Sequence, residues 1–312
     1  MLNTIEFSLR ILKDGKGASS CGHIVFFVKK RFIGKGRTER KNMNIYKQGR
    51  IFTIKMKAET RRKVKELVKE VILSKIDNYN AETEYKPFFQ AIFTKEQILT
   101  HTIVHSFYTS FGMSIYEQLV KILAEGAGYE AHTQFDILGE IDEKTEAIIS
   151  KIDMDLRAGK RNPDMKTEFE EIKKSIQKGK TLEDPDKRVD VFVKKSDGTE
   201  VYFDITSPKP NIKEFVALKK KLLRWIGLRL STNKNARVIT ALGLPYNPYH
   251  PEPYNRWTKG NMYDSTQLMV GQDFWNFVAG ENIYDEFIEI FQEVGKELRE
   301  KIKEIAKEKK AI

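Results

Sequence analysis

Residues 188–207, RVDVFVKKSDGTEVYFDITS, carry the clearest strand pattern in the chain. Two runs rich in valine, phenylalanine and tyrosine flank Ser196, Asp197 and Gly198, which are residue types that favour a tight turn. The stretch therefore predicts a β-hairpin.

The turn also predicts the register of the hairpin. A three-residue loop over 196–198 with Gly198 in the left-handed conformation places Asp190 opposite Asp204. One face then carries both acids with Phe192, Tyr202 and Thr206, and the other carries Val191, Val193, Val201, Phe203 and Ile205. A two-residue turn would set Asp190 against Ile205 and mix the faces, so we reject it. We expect the valine face to be core and the acidic face to line a cleft.

Two carboxylates on adjacent strands repel each other unless a positive charge lies between them. Mg²⁺ prefers oxygen ligands and is commonly held by one or two carboxylates plus a substrate phosphate. Such an ion lowers the pKa of attacking water, which phosphodiester hydrolysis needs. The pattern alone is equally typical of two exposed aspartates at the edge of a hairpin.

The net charge of +11 suggests an anionic partner such as nucleic acid, but residues 1–55 hold 13 basic and 3 acidic residues and thus almost all of the excess. This basic segment is either an arm that grips DNA or dispensable sequence translated from an early start, with Met43 and Met56 as alternative starts. One cysteine excludes a disulfide framework, and no apolar stretch is long enough to cross a bilayer. We expect a cytoplasmic protein without membrane contact.

Residues 56–312 read as a single domain. Apolar residues recur at helical spacing in 56–76, 115–126, 211–230 and 287–298, and two polar helices lie within 141–179. Short strands are expected at 132–138 and 236–244. Four prolines make the stretch from about 245 to 262 an extended loop. The order strand, strand, helix, strand predicts an α/β fold, with further helices over 265–312.

Four segments together resemble the Tde-type (TdeIII-like) family of type II restriction endonucleases: RVDVFV at 188–193, YFDITSPKPN at 202–211, LLRW at 222–225 and PYNPYHPEPY at 245–254. The resemblance implies the PD-(D/E)xK nuclease fold, a mixed sheet flanked by helices, with its catalytic core over about 108–245. Asp190 matches the first acid of the motif and Asp204 the second. A core helix of the family supplies a further glutamate, and Glu117 resembles it. An ordinary ion pair with Lys121 one turn later is the alternative.

The chain departs from the family pattern at the third motif position, where Thr206 replaces the lysine that stabilises developing negative charge. Lys209, three residues later, is our first candidate to replace it. Lys219 and Lys220 on the next helix are weaker candidates. A solvated surface role is the alternative for each.

A literal search for the motif would choose Pro163, Asp164, Glu171 and Lys173 instead. We reject this match because Phe169, Ile172 and Ile176 make the segment helical, whereas the two acids should lie on adjacent strands.

The proline-interrupted loop carries side chains suited to base edges and phosphates. The predicted DNA-binding residues are Tyr246, Asn247, Tyr249, His250, Asn255 and Arg256. A rigid loop that packs on the sheet is the alternative.

The sequence thus predicts a Mg²⁺-dependent type II restriction endonuclease that cuts double-stranded DNA at a short palindrome. A palindromic site implies a homodimer, and the family implies a cognate DNA methyltransferase. A structure-selective repair or junction nuclease is the alternative among enzymes. A catalytically silent DNA-binding relative is the alternative that Thr206 raises.

Overall fold

The computed structural model describes residues 5–12, 23–30, 56–77, 87–94, 97–98, 101–102, 104–105, 115–177, 180–182, 186–257 and 259–308. The chain divides into two compact units, residues 1–52 and 53–312. In the first unit, β1 (Ile5–Leu12) pairs with β2 (His23–Lys30) as an antiparallel hairpin. These strands were not predicted from the sequence, and whether the basic segment acts as a DNA-gripping arm stays a prediction.

The central hairpin of the second unit has the predicted register. Strands β6 (Arg188–Lys194) and β7 (Glu200–Ile205) are antiparallel, with Val191 opposite Phe203 and Lys194 opposite Glu200. Gly198 has a φ of 81°, a left-handed conformation that glycine adopts without steric cost. The turn therefore fixes which side chains of the two strands face each other.

This hairpin forms part of a five-stranded mixed sheet in the order β3-β6-β7-β8-β9. Strand β3 (Glu130–Asp136) runs antiparallel to β6. Strands β8 (Val238–Leu244) and β9 (Leu268–Val270) continue the sheet beyond β7, each parallel to its neighbour. β9 was not predicted. A separate two-stranded sheet pairs β4 (Ile141–Asp142) with β5 (Thr181–Leu182).

Eight helices have both ends within the described ranges, and four of them lie close to the segments in which apolar residues recur at helical spacing. They are α1 (Ala58–Asp77), α2 (Pro87–Ile92), α3 (Tyr116–Gly126), α4 (Glu143–Arg157), α5 (Met165–Ser175), α6 (Ile212–Thr232), α7 (Gln272–Ala279) and α8 (Tyr284–Glu308). Side-chain caps start three of them: Asp142 for α4, Asp164 for α5 and Asn211 for α6 each accept a hydrogen bond from a backbone N–H in the first turn.

Helices cover the sheet on both faces. Val191, Val193, Val201 and Phe203 pack with buried side chains of α1, α3, α7 and α8. On the opposite face, Phe192 and Tyr202 pack with α4, α5 and α6. The expectation that this acid-bearing face would be an open cleft was wrong, because Tyr202 is 2% exposed and Asp204 6%. The acids lie at the end of a buried layer. The α/β fold with a restriction-endonuclease-like core is confirmed.

A buried ion pair lies within the layer formed by α4, α5 and α6. Nζ of Lys219 is 2.7 Å from Oε2 of Glu168, and both side chains are 0% exposed. The Lys219 ammonium also donates to Oε1 of Gln267. Burial lowers the pKa of Lys219, although the carboxylate of Glu168 opposes this effect. The pair ties α6 to α5 and to the segment that leads into β9.

Replacing only one partner of this pair should destabilise the fold strongly. Lys219→Met leaves the Glu168 carboxylate buried without its cation and should lower the free energy of unfolding by about 3–5 kcal/mol. The double variant Lys219→Met, Glu168→Met should recover most of the loss, as measured by urea unfolding. Lys220→Met removes a partly exposed lysine and should cost about 0–1 kcal/mol. A double variant as unstable as Lys219→Met would contradict this account.

Candidate active site

The structure brings Asp190 and Asp204 together on neighbouring strands. The paired register of the two strands ends at Val191 and Phe203, and each acid is the next residue along its own strand. Oδ2 of Asp190 accepts a hydrogen bond of 2.7 Å from the backbone N–H of Ile205, the residue after Asp204. The two acids therefore lie close enough to interact, and their direct face-to-face pairing stays a prediction.

The electrostatics of this pair are unfavourable without a compensating cation. Burial raises the pKa of Asp190 to about 7, and the like charge of Asp204 adds to the effect. The hydrogen bond from Ile205 opposes it. The charge of Glu117 also raises this pKa, so three acids influence one another at this end of the sheet.

Lys221 on α6 supplies the positive charge that contacts the pair. Its Nζ lies 2.6 Å from Oδ2 of Asp204, and the lysine side chain is 23% exposed. The ammonium is also 5.1 Å from the centroid of the Trp225 ring, one helical turn further on. A lysine thus reaches the second motif acid from a helix and not from the strand.

Further contacts fix the position of α6 along β7. Near the helix start, Oγ1 of Thr206 donates to Oε1 of Glu214 at 3.1 Å. Near its end, the guanidinium of Arg229 donates two hydrogen bonds, of 2.6 and 2.8 Å, to the Glu200 carboxylate. Lys221 lies between these two contacts. The helix therefore runs back along the strand in a register that brings Lys221 to Asp204.

The lysines named from the sequence have other contacts. Nζ of Lys209 lies 5.2 Å from the centroid of the Tyr249 ring. Lys219 belongs to the buried pair with Glu168, and Lys220 contacts Glu146 at 2.9 Å. Sequence reasoning missed Lys221. Its spacing of one turn from Trp225 could have identified the helix face that turns towards the sheet, but the run of three lysines obscured it.

Glu117 lies at the edge of the site, in the first turn of α3. Its Oε2 accepts a 2.9 Å hydrogen bond from Nε2 of Gln134 on β3. Burial raises the pKa of Glu117, the Gln134 hydrogen bond opposes this, and the charge of Asp204 raises the pKa slightly further. Across the residues that the structure describes, no group of three His, Cys, Asp or Glu side chains could hold a metal ion. Glu117 therefore neighbours the two aspartates without completing a set of three ligands.

The proline-interrupted loop bonds to the connection between β7 and α6. The hydroxyl of Tyr254 donates to the carbonyl of Pro208 at 3.1 Å, and the Arg256 guanidinium donates to the carbonyl of Pro210 at 2.6 Å.

Within the loop, Asn247 donates to the backbone of Glu252 and accepts from the N–H of Tyr249. His250 and Asn255 are exposed, whereas Tyr246 and Tyr249 are half-buried. The side chains named for DNA binding thus divide into some that shape the loop and some that face solvent.

The letter-for-letter motif at 163–173 lies on a helix, as predicted. Asp164 caps α5 through a 2.6 Å hydrogen bond from the N–H of Thr167. Glu171 pairs with Arg161 at 2.9 Å and is 40% exposed. These acids have structural partners, and the predicted helix on which the rejection of this motif rests is confirmed.

Within the described segments, every helix is too short or too polar to span a bilayer.

Comparison with known proteins gives the family. Residues 56–295 match the family model described as type II restriction endonuclease, HinfI. The restriction enzyme HgiCII of Herpetosiphon aurantiacus is 28% identical over 231 residues, which cover 70% of this chain and 82% of that enzyme. HgiEI of the same organism is 26% identical over 239 residues, with the same coverage.

A more distant relative comes from an archaeon. The restriction enzyme MjaII of Methanocaldococcus jannaschii is 24% identical over 205 residues, which cover 62% of this chain and 54% of that enzyme. The family match spans both strands that carry the acids and the helix that carries Lys221. The chain therefore belongs to the HinfI family of type II restriction endonucleases, and its function is the site-specific cleavage of DNA.

Proposed function

We propose that Asp190 and Asp204 hold a Mg²⁺ ion with which the enzyme hydrolyses phosphodiester bonds of duplex DNA at a short palindrome. The observation that carries the proposal is the convergence of two carboxylates from adjacent strands beside one lysine. Type II restriction endonucleases generally use a divalent metal, and the family match supports the same need here.

The donor set fits such an ion. The Ile205 N–H binds one oxygen of Asp190, and the Lys221 ammonium binds one oxygen of Asp204. Within the described ranges, no recorded hydrogen bond occupies the other oxygen of either carboxylate. Two carboxylate oxygens with remaining sites for water and phosphate match the preference of Mg²⁺. When bound, the ion would polarise the scissile phosphate and lower the pKa of the attacking water.

Glu117 is proposed as a further oxygen donor to the cation, directly or through water. Gln134 orients its carboxylate, and the charges of both aspartates reach it. An additional acid at the site would strengthen cation binding as long as the ion neutralises it.

We propose that Lys221 performs the role that the motif assigns to the residue at position 206. Its ammonium already lies beside the acid pair, and from there it can stabilise negative charge that develops on the phosphate. Thr206 then serves to hold the start of α6 through Glu214. The part that Lys209 plays stays a prediction.

The loop over about 245–262 is the proposed DNA-reading element. Exposed His250 and Asn255 are free to approach base edges or phosphates, and Tyr246 and Tyr249 flank them. Asn247 and Arg256 make hydrogen bonds within the protein, so they would also shape the loop that presents the other side chains. Base contacts by any of these six side chains remain a prediction.

A homodimer would match the twofold symmetry of a palindrome. A partner methyltransferase and a cytoplasmic location follow from the proposed role in restriction and modification. The narrower Tde-type resemblance, like these features, stays a prediction.

Removing either strand acid should abolish cleavage. Asp190→Ala and Asp204→Ala each delete a proposed ligand and should leave no discrete fragments when a plasmid is digested with Mg²⁺. Circular dichroism and DNA-binding assays should show that the fold and much of the DNA affinity persist. Asp197→Ala, in the exposed turn of the same hairpin, is the matched control and should cut normally. If Asp190→Ala or Asp204→Ala cleaved DNA at the normal rate, the proposed active site would be wrong.

Lys221 and Lys209 can be separated by single substitutions. Lys221→Met should lower kcat by about 100–1,000-fold, the loss typical for one group that stabilises developing negative charge. Lys209→Met should cost far less, because its ammonium packs against Tyr249 and not against an acid. Single-turnover cleavage of a short duplex measures both. The opposite ranking would assign the role to Lys209.

The stability of the cation-free protein should fall as pH rises from about 4 to about 7. Over this window folded Asp190, with its pKa near 7, retains a proton that the unfolded chain has already lost. Asp190→Asn cannot titrate, so its stability should not show the decrease between about pH 4 and about pH 7 that Asp190 causes. Because Mg²⁺ needs the ionised carboxylate, it should raise Tm more at about pH 8 than at about pH 5. A Mg²⁺ effect on Tm that persists in Asp190→Asn would place the cation elsewhere.

A further inference from the structure

We propose that Lys221 and the divalent cation compete for Asp204, so that the lysine occupies the acid until the cation displaces it. This inference rests on the proposed cation site and goes beyond it, because it gives the lysine two alternating partners. The lysine would favour catalysis and oppose cation binding at the same time.

The contact itself is the first argument. At 2.6 Å, the ammonium of Lys221 bonds directly to Oδ2 of Asp204. Asp204 is 6% exposed, so solvent screens this pair only weakly. A cation that binds both aspartates would lie next to this ammonium, and the two positive charges would repel each other.

The charge balance of the site is the second argument. Asp190, Asp204 and Glu117 influence one another electrostatically, and the charge of Lys221 lowers the pKa of Asp190. The lysine therefore partly neutralises the acids when no cation is bound. A divalent ion would neutralise the acids more completely, and the attraction between the Lys221 ammonium and Asp204 would then be weaker.

The surroundings of the lysine allow such a movement. Its side chain is 23% exposed, and its ammonium also lies over the face of the Trp225 ring. The contacts of Thr206 with Glu214 and of Glu200 with Arg229 hold the helix in place while the lysine stem changes rotamer. The ammonium can then turn to a phosphate oxygen without any shift of α6.

The test measures cation affinity separately from cleavage. Mg²⁺ is titrated against wild type and Lys221→Met without DNA, and Tm is followed as a function of Mg²⁺ concentration. Competition predicts that Lys221→Met binds Mg²⁺ about tenfold more tightly, within the usual range of coupling between two sites. The same variant should cleave DNA more slowly at saturating Mg²⁺. A lysine with a merely structural role would weaken both properties.

Lys220→Met is the matched control, since it removes the same charge from the adjacent position, where the lysine contacts Glu146. Its Mg²⁺ affinity should equal that of wild type. Equal or weaker Mg²⁺ binding by Lys221→Met overturns the competition and leaves the cation site standing. If Mg²⁺ raises the Tm of wild type and of Asp190→Asn equally, the cation site itself fails, and the competition fails with it.

Discussion

The repulsion between two carboxylates on neighbouring strands is the constraint on which the site depends. A glycine at the hairpin turn sets the register of the two strands that carry Asp190 and Asp204. Helices bury this end of the sheet, so water cannot screen the two charges well. The backbone N–H of Ile205 donates to Asp190, and the ammonium of Lys221 contacts Asp204. The N–H and the ammonium each bind the Oδ2 oxygen of one aspartate. The two Oδ1 oxygens are the proposed ligands of the cation.

The helix after β7 explains how a lysine outside the strand can contact the second acid. A strand and the helix that returns along it bring side chains distant in sequence into contact, so a charge can be supplied from either element. Here Thr206 contacts the first turn of α6, and Asp204 contacts its middle. The ammonium of Lys221 thus contacts Asp204 from the helix and not from the strand that carries the acid. The geometry at the acid matters more than the place of the lysine in the motif.

Local patterns predicted the features that depend on neighbouring residues. The turn chemistry around Gly198 gave the register, and apolar periodicity gave several helices near their observed bounds. The burial of Tyr202 was not predictable from strand alternation, because it depends on α6 folding back over that face. Lys221 escaped detection for the same reason, since its contact with Asp204 spans 17 residues. The three-residue strand β9 carries too short a pattern to be recognised alone.

The connection between β7 and α6 links the proposed reading loop to the acids. Pro208 and Pro210 have no N–H to donate, so their backbone can be held only through its carbonyls. Tyr254 and Arg256 of the loop bind those two carbonyls. The same short connection ends the strand of Asp204 and begins the helix of Lys221. A displacement of the loop must therefore strain the segment that sets the distance between acid and lysine, which links the proposed DNA-reading loop to the proposed cleavage site through one continuous piece of structure.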